Sequence, residues 1–189
     1  DNTVNGFVET WYDQSGNGND VVQATASQQP KIVSSGSLIT AGVTFDEANS
    51  TELVATDPVI TAAAAGTYSA FSVQTISNAQ AGYLYGNASP FSGSSIFANG
   101  SIFTVTSKNQ AAGFDSITKG NNEQLLSAVY NNNDAVMLID GGGTTTDGNT
   151  YIFDAGTANF RMGNRSSGTS VGTKLSGAIR EVIVYNSDQ

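Results

Sequence analysis

Trp11-Tyr12-Asp13-Gln14-Ser15-Gly16-Asn17-Gly18-Asn19-Asp20 is the stretch on which the reading of this chain turns. Two aromatic residues at the end of an alternating apolar segment run straight into a turn dense in Asp, Asn and Gly. Gly16 and Gly18 can take positive φ at little cost, and the side chains of Asp13, Asn17, Asn19 and Asp20 can bond back to nearby backbone amides. The segment therefore predicts a compact loop that needs no core of its own. Because neighbours on a strand point to opposite faces, one of Trp11 and Tyr12 is expected inward and the other outward.

Working outward, apolar residues recur with a period of two in short runs closed by turn residues. Phe7 to Tyr12 alternates, Lys31 to Val33 is short, Ser37 to Phe45 is mixed, and Tyr68 to Ile76 carries apolar side chains at every second position, the pattern of a half-buried strand. Gly82 to Tyr85, Ser95 to Ala98, Ser101 to Ser107, Gln124 to Tyr130, Ala135 to Asp140, Asn159 to Gly163 and Ala178 to Tyr185 continue the series. Asn99-Gly100 predicts one hairpin, and Asn131-Asn132-Asn133-Asp134 a second, so their flanking strands are expected as antiparallel neighbours. Ala62 to Ala65 is the sole helical signal, about one turn long and too short to stand alone. No internal repeat or linker divides the chain.

Composition agrees with an all-β reading. The 189 residues are 39% hydrophobic and only 12% charged, enough apolar material for one sizeable core in a single domain. A net charge of −9 with 7 basic residues and no Lys/Arg cluster argues against nucleic acid and against anionic membrane surfaces. No apolar run approaches the roughly 20 residues needed to span a bilayer. The absence of Cys removes disulfides and thiolate chemistry, and the absence of His removes the Ser-His-Asp and Cys-His arrangements, leaving carboxylates as the acid/base groups with suitable pKa values. The chain starts at Asp1 and stops at Asn186-Ser187-Asp188-Gln189 directly after an apolar strand, so residues 1–189 are read as one domain of something longer.

The run Tyr12 to Asn19, followed by Gln28-Gln29-Pro30-Lys31-Ile32-Val33 and Gly42-Val43-Thr44-Phe45-Asp46, resembles the LamG-like, concanavalin A-like lectin/glucanase superfamily. A closely similar run occurs in the jelly-roll catalytic domain of fungal family-54 arabinofuranosidases. Leu175 to Asn186 looks like the last core strand of such domains, so the resemblance brackets nearly the whole chain, the middle matching as a strand pattern. It implies an antiparallel two-sheet β-sandwich of jelly-roll type. In the arabinofuranosidases a nucleophilic Glu follows a Tyr-Gly-Asn-Ala run; here Tyr85-Gly86-Asn87-Ala88 is followed by Ser89. The acid/base Asp of that family lies in a Gly-rich loop where this chain reads Met162-Gly163-Asn164-Arg165-Ser166-Ser167-Gly168, and neither Asn nor Arg can donate and retrieve a proton near pH 7. The E-x-D-x-x-E strand of laminarinase-type relatives is absent. A glycosidase is therefore not expected.

What the resemblance leaves is a decayed cleft serving as a lectin site. Tyr83, Tyr85, Asn87, Asn164 and Arg165 occupy the positions that surround sugar in the arabinofuranosidases and are the expected ligand-binding residues, against the plain alternative of ordinary polar loops. Trp11 has two open readings, a core residue or a stacking platform for a pyranose. Asp13, Asn17, Asn19 and Asp20 offer oxygen ligands that suit Ca2+, although the loop can also satisfy itself internally. The remaining carboxylates read as turn caps, and four Asn-x-Ser/Thr sequons, at Asn49, Asn87, Asn99 and Asn164, matter only in a secreted eukaryotic protein. The composition resembles LamG-like domains of bacterial adhesins and of phage tail or capsid fibres. The expected role is non-catalytic adhesion to glycans or cell-surface polysaccharide, extracellular, at the cell surface or on a virion. The alternative is a structural module binding other subunits of a fibre or capsid.

Overall fold

The computed structural model describes residues 3–60, 67–77, 80–87, 95–106, 115–131, 134–145, 159–165 and 174–186. The expected helical turn at 62–65, Ser89, and the loop residues 132–133 and 166–168 lie outside them. Among the described residues there are seventeen strands: β1 Gly6–Phe7, β2 Thr10–Trp11, β3 Val21–Val22, β4 Lys31–Ser34, β5 Ser37–Leu38, β6 Val43–Phe45, β7 Leu53–Ala55, β8 Thr67–Thr75, β9 Ala81–Gly86, β10 Ser95–Asn99, β11 Ile102–Thr106, β12 Asp115–Thr118, β13 Glu123–Asn131, β14 Asp134–Ile139, β15 Gly142–Thr145, β16 Arg161–Met162 and β17 Gly177–Tyr185. A single 3-10 turn, Ala26–Gln28, is the one helical element among the described residues.

The strands form two antiparallel sheets. Sheet I runs β1-β4-β6-β17-β8-β13-β14-β15, with β5 beside β4, and sheet II runs β12-β11-β10-β9-β16-β7-β3-β2. Alternation builds the core between them. On sheet I, Tyr68, Ala70, Leu126, Ala128, Tyr130, Met137 and Ile179 point inward; on sheet II, Val21, Leu53, Ala55, Leu84, Tyr85, Ile96, Ala98, Phe103, Val105, Ile117 and Met162 meet them. Tyr68 and Tyr130, directly paired on β8 and β13, stack with ring centroids 5.0 Å apart.

Both named hairpins form, with one refinement. Asn99 pairs Ile102, so the two-residue loop is Gly100-Ser101, and positive φ falls on Gly100 alone, the II′ pattern rather than the I′ pattern that Asn-Gly suggests. Asn131 pairs Asp134 as expected. Asp140-Gly141 makes a further hairpin, both residues at positive φ between the paired Ile139 and Gly142.

The segment Phe7 to Tyr12, expected as one strand, is divided between the sheets. Phe7 pairs Lys31 in sheet I, whereas Thr10 and Trp11 pair Val22 and Val21 in sheet II. The switch occurs at Val8-Glu9, where Val8 N–H donates to Pro30 and the Glu9 carbonyl accepts from Gln23. Side-chain alternation survives such a corner while hydrogen-bond partners change, which is why the sequence shows one strand and the backbone two. Trp11 packs half-buried against the core, and Tyr12 is 65% exposed.

Candidate functional site on the outward face of sheet II

Residues of sheet II that do not enter the core form rows on its other face. Ser116 pairs Thr104, Thr104 pairs Phe97, and Phe97 pairs Tyr83, so these four side chains line up across β12, β11, β10 and β9. A bulge between Ile96 and Phe97 lets β9 place Leu84 and Tyr85 in the core and still return Tyr83 to this row. Tyr83 and Phe97 rings lie 4.9 Å apart at 51°. On the other side of Tyr83, the Arg165 guanidinium sits 5.1 Å above the ring. Burial raises the Tyr83 phenol above its usual pKa, and the neighbouring Arg165 opposes that rise.

Arg165 is delivered there by backbone chemistry. Gly163 adopts φ +82°, and a Cβ at that position would lie 2.1 Å from Cδ1 of Phe45. Its N–H donates to the Leu84 carbonyl and its carbonyl accepts from Leu175, locking the segment between β9 and the returning chain. Asn164 bridges Lys174, and its Oδ1 accepts from the Arg165 N–H at 2.8 Å. A Cβ on Gly82 would fall 2.2 Å from the Lys174 carbonyl oxygen, so only Gly permits this close approach. In the next row, Arg161 pairs Gly86 and Val54, and its guanidinium binds Glu52 at 2.7 Å.

The five residues expected to contact ligand separate into two groups. Tyr83 and Arg165 meet at this face. Tyr85, 1% exposed, instead crosses the core, where its hydroxyl donates to Ser72 Oγ of sheet I at 3.0 Å and burial pushes its pKa up. Asn87 is 0% exposed: its Oδ1 accepts from Val59 N–H at 3.2 Å and Ile60 N–H at 3.3 Å, and its Nδ2 donates to the Ile60 carbonyl at 2.7 Å. Asn164 is buried as well. For these three the loop position expected from sequence is corrected to an interior one, because each polar group is needed to satisfy buried backbone or a cross-sheet hydroxyl. Phe97 was not anticipated as a site residue. Its signal was present, since inward Ile96 and Ala98 on either side force it outward.

The Trp-Tyr turn closes on itself. Asp13 Oδ1 accepts from Ser15 N–H at 2.8 Å, and its Oδ2 accepts from Ser15 Oγ at 2.8 Å and Asn19 N–H at 3.0 Å. Asp20 Oδ1 accepts from Asp13 N–H at 2.7 Å. Asn17 lies exposed at the tip, its amide donating to Ser15 Oγ. These donors, the Asn19 N–H most, hold the Asp13 carboxyl below its usual range. A calcium ion at this loop would have to share oxygens that already carry three internal donors. Among the described residues no three acidic, His or Cys side chains gather.

Two antiparallel sheets packed face to face in this strand order define a jelly-roll sandwich of the concanavalin-like kind. Solved structures share it. A family-54 α-L-arabinofuranosidase soaked with a cyclic sulfate inhibitor is 13% identical with a TM-score of 0.65, over 97% of this chain and 48% of that one. Trypanosoma rangeli sialidase, in complex with a difluoro-nononic acid, is 14% identical with a TM-score of 0.62, over 100% of this chain and 30% of that one. The heptameric SAP-like pentraxin of Limulus polyphemus is 10% identical with a TM-score of 0.52, over 66% of each chain. The chain thus spans about half of the arabinofuranosidase and under a third of the sialidase. No family model and no curated protein matches the sequence.

Proposed function

We propose that this domain is a non-catalytic carbohydrate-recognition module that binds glycan on the outward face of sheet II. The observation that carries the reading is the stack of Phe97, Tyr83 and Arg165 on a face turned away from the core. The partly exposed Phe97 ring can cover the C–H face of a sugar, backed by Tyr83, which lies buried beneath Arg165. Glu52, the carboxylate seen on this face, is tied to Arg161, which suits recognition better than proton transfer. Like folds solved with saccharides bound, such as an arabinofuranosidase complexed with arabinofuranosyl-α-1,2-xylobiose, make the reading a natural one. We place the module extracellularly, on a cell surface or virion, where many weak contacts gain strength from multivalency.

The test is a broad glycan array probed with the domain clustered on a multivalent support, with calcium and again with chelator. Specific binding that Phe97→Ala abolishes supports the reading, and a clean negative from folded protein overturns it. Loss of binding in chelator would assign a functional calcium ion.

A second reading has its own observation. The outward face of sheet I is apolar: Ile183, Phe71 and Leu138 share a row with Ser127, and Val73, Leu125, Val129, Val136 and Tyr185 flank it. Leu125 is 42% and Tyr185 45% exposed. Such a patch fits an assembly surface for neighbouring subunits. Light scattering over a concentration series, with Ile183→Asp as the control, separates an associating wild type from a monomer.

A further inference from the structure

We infer that Asn17, at the tip of the Trp-Tyr turn, is a site of spontaneous covalent modification, in which the side chain cyclises with Gly18, ammonia is lost and hydrolysis gives isoaspartate and aspartate. The reaction needs a side-chain amide followed by a residue whose backbone nitrogen is unshielded, and Gly, with no Cβ, shields its nitrogen least. Three Asn-Gly pairs occur in the chain, Asn5-Gly6, Asn17-Gly18 and Asn99-Gly100, and the fold treats them differently. At Asn99-Gly100 the attacking nitrogen is occupied, because the Gly100 N–H donates to the Gln80 carbonyl at 3.1 Å and Asn99 is paired with Ile102 in the hairpin. At Asn5-Gly6 the amide is occupied: Asn5 Oδ1 accepts from the Ser35 N–H at 3.1 Å, and Gly6 is paired with Val33 in β1. Asn17-Gly18 has neither restraint. Asn17 is exposed, its side chain bonds only to Ser15 Oγ two residues back, and the Gly18 N–H donates to no group among the described residues. A Cβ built on Gly16 or Gly18 would meet nothing within 4 Å, so the backbone around the Asn17–Gly18 peptide has open space in which to turn the nitrogen onto the carboxamide carbon.

The Gly18 nitrogen forms a bond to Asn17 Cγ and gives up its proton, the Cγ–Nδ2 bond breaks, and Nδ2 leaves with that proton as ammonia. The product is a five-membered succinimide. Water then adds to one of its two carbonyl carbons. Opening at Cγ gives aspartate, and opening at the Asn17 backbone carbonyl gives isoaspartate, in which the chain runs through the side chain and is longer by one carbon. Either product turns a neutral amide into a carboxylate and takes the net charge from −9 to −10. Isoaspartate also disturbs the bonding of the loop. Asp13 holds the Ser15 and Asn19 N–H groups, on either side of Asn17, at 2.8 and 3.0 Å, and a longer link between them pulls these two bonds out of register.

The experiment incubates folded protein in warm, weakly alkaline buffer beside a second sample unfolded in urea. Isoaspartate at each of the three pairs is read by proteolysis and mass spectrometry, with enzymatic methylation of isoaspartate as a second readout. In the folded protein Asn17 is expected to react about tenfold faster than Asn5 or Asn99, the scale of the one hydrogen bond that each of those pairs must break first. In urea the three should react at similar rates, since the fold is what distinguishes them. Asn17→Gln, whose cyclisation needs a six-membered ring, should remove the early acidic species from anion exchange, and Asn99→Gln should leave it in place. Reaction at Asn5 or Asn99 as fast as at Asn17 in folded protein overturns the inference. So does the same preference for Asn17 in urea, or an unmodified Asn17 in folded protein over the time in which the urea sample is converted.

Discussion

Replacing Asn87 with Ala removes three hydrogen bonds at a point with no access to water. Its carboxamide accepts from the N–H groups of Val59 and Ile60 and donates to the Ile60 carbonyl, and the side chain is fully buried. At about 1 kcal/mol net for each bond the loss is about 3 kcal/mol, and the stranded N–H groups and carbonyl move it toward 5. For a domain of this size that lowers the melting temperature by about 6–20 °C. Trp11 is the single tryptophan and packs against the core, so its fluorescence reports unfolding in urea directly. The variant should show a lower midpoint at unchanged slope, because the surface exposed on unfolding is the same. Asn87→Asp should fall between, since a carboxylate still accepts from both N–H groups but faces the Ile60 carbonyl. A loss under about 1 kcal/mol, together with abolished glycan binding, would refute the interior role and return Asn87 to the ligand.

Asp13→Asn should be less stable than wild type at neutral pH. The Asp13 carboxyl is held below its usual 3.8, so its contribution is present above that value and is lost as pH falls through the lower folded-state value; a stability gap unchanged between neutral and strongly acidic urea melts would contradict this. Gly163→Ala forces a methyl against the Phe45 ring at positive φ, and should cost about 3 kcal/mol or more and disturb the Arg165 stack; a melt within about 1 kcal/mol of wild type would count against the packing described. Arg165→Met should raise the Tyr83 pKa further, because the guanidinium opposes the effect of burial; a phenolate absorbance titration that does not move would remove Arg165 from the ring.

The long strands were legible because they alternate. Tyr68 to Ile76, Gln124 to Tyr130 and Ala178 to Tyr185 each run long enough to show a period of two. Val21–Val22 and Leu53–Ala55 span two and three residues, too few to display any period, and Gly142–Thr145 is built of residues that read as a turn. The Trp-Tyr loop was legible for a related reason: its bonds join residues two to seven apart, so the sequence contains both partners side by side. Asn87 was not, since its partners lie 27 and 28 residues away and nothing local distinguishes a buried amide from a loop amide. Arg165 was named from resemblance, but its seat on Tyr83 comes from the Gly163 turn and the Leu84 carbonyl, which only the fold brings together.

β17 occupies the middle of sheet I, joined to β6 on one side and to β8 on the other. During synthesis both of those neighbours leave the ribosome long before residues 177–185 do. Until then each presents an unpaired strand edge, and the two halves of the sheet have nothing to hold them in line. Closure of the sandwich therefore waits until this stretch of chain has emerged. A nascent polypeptide halted at residue 176 would be a substrate for chaperones and a seed for aggregation, even though it carries every strand described for sheet II.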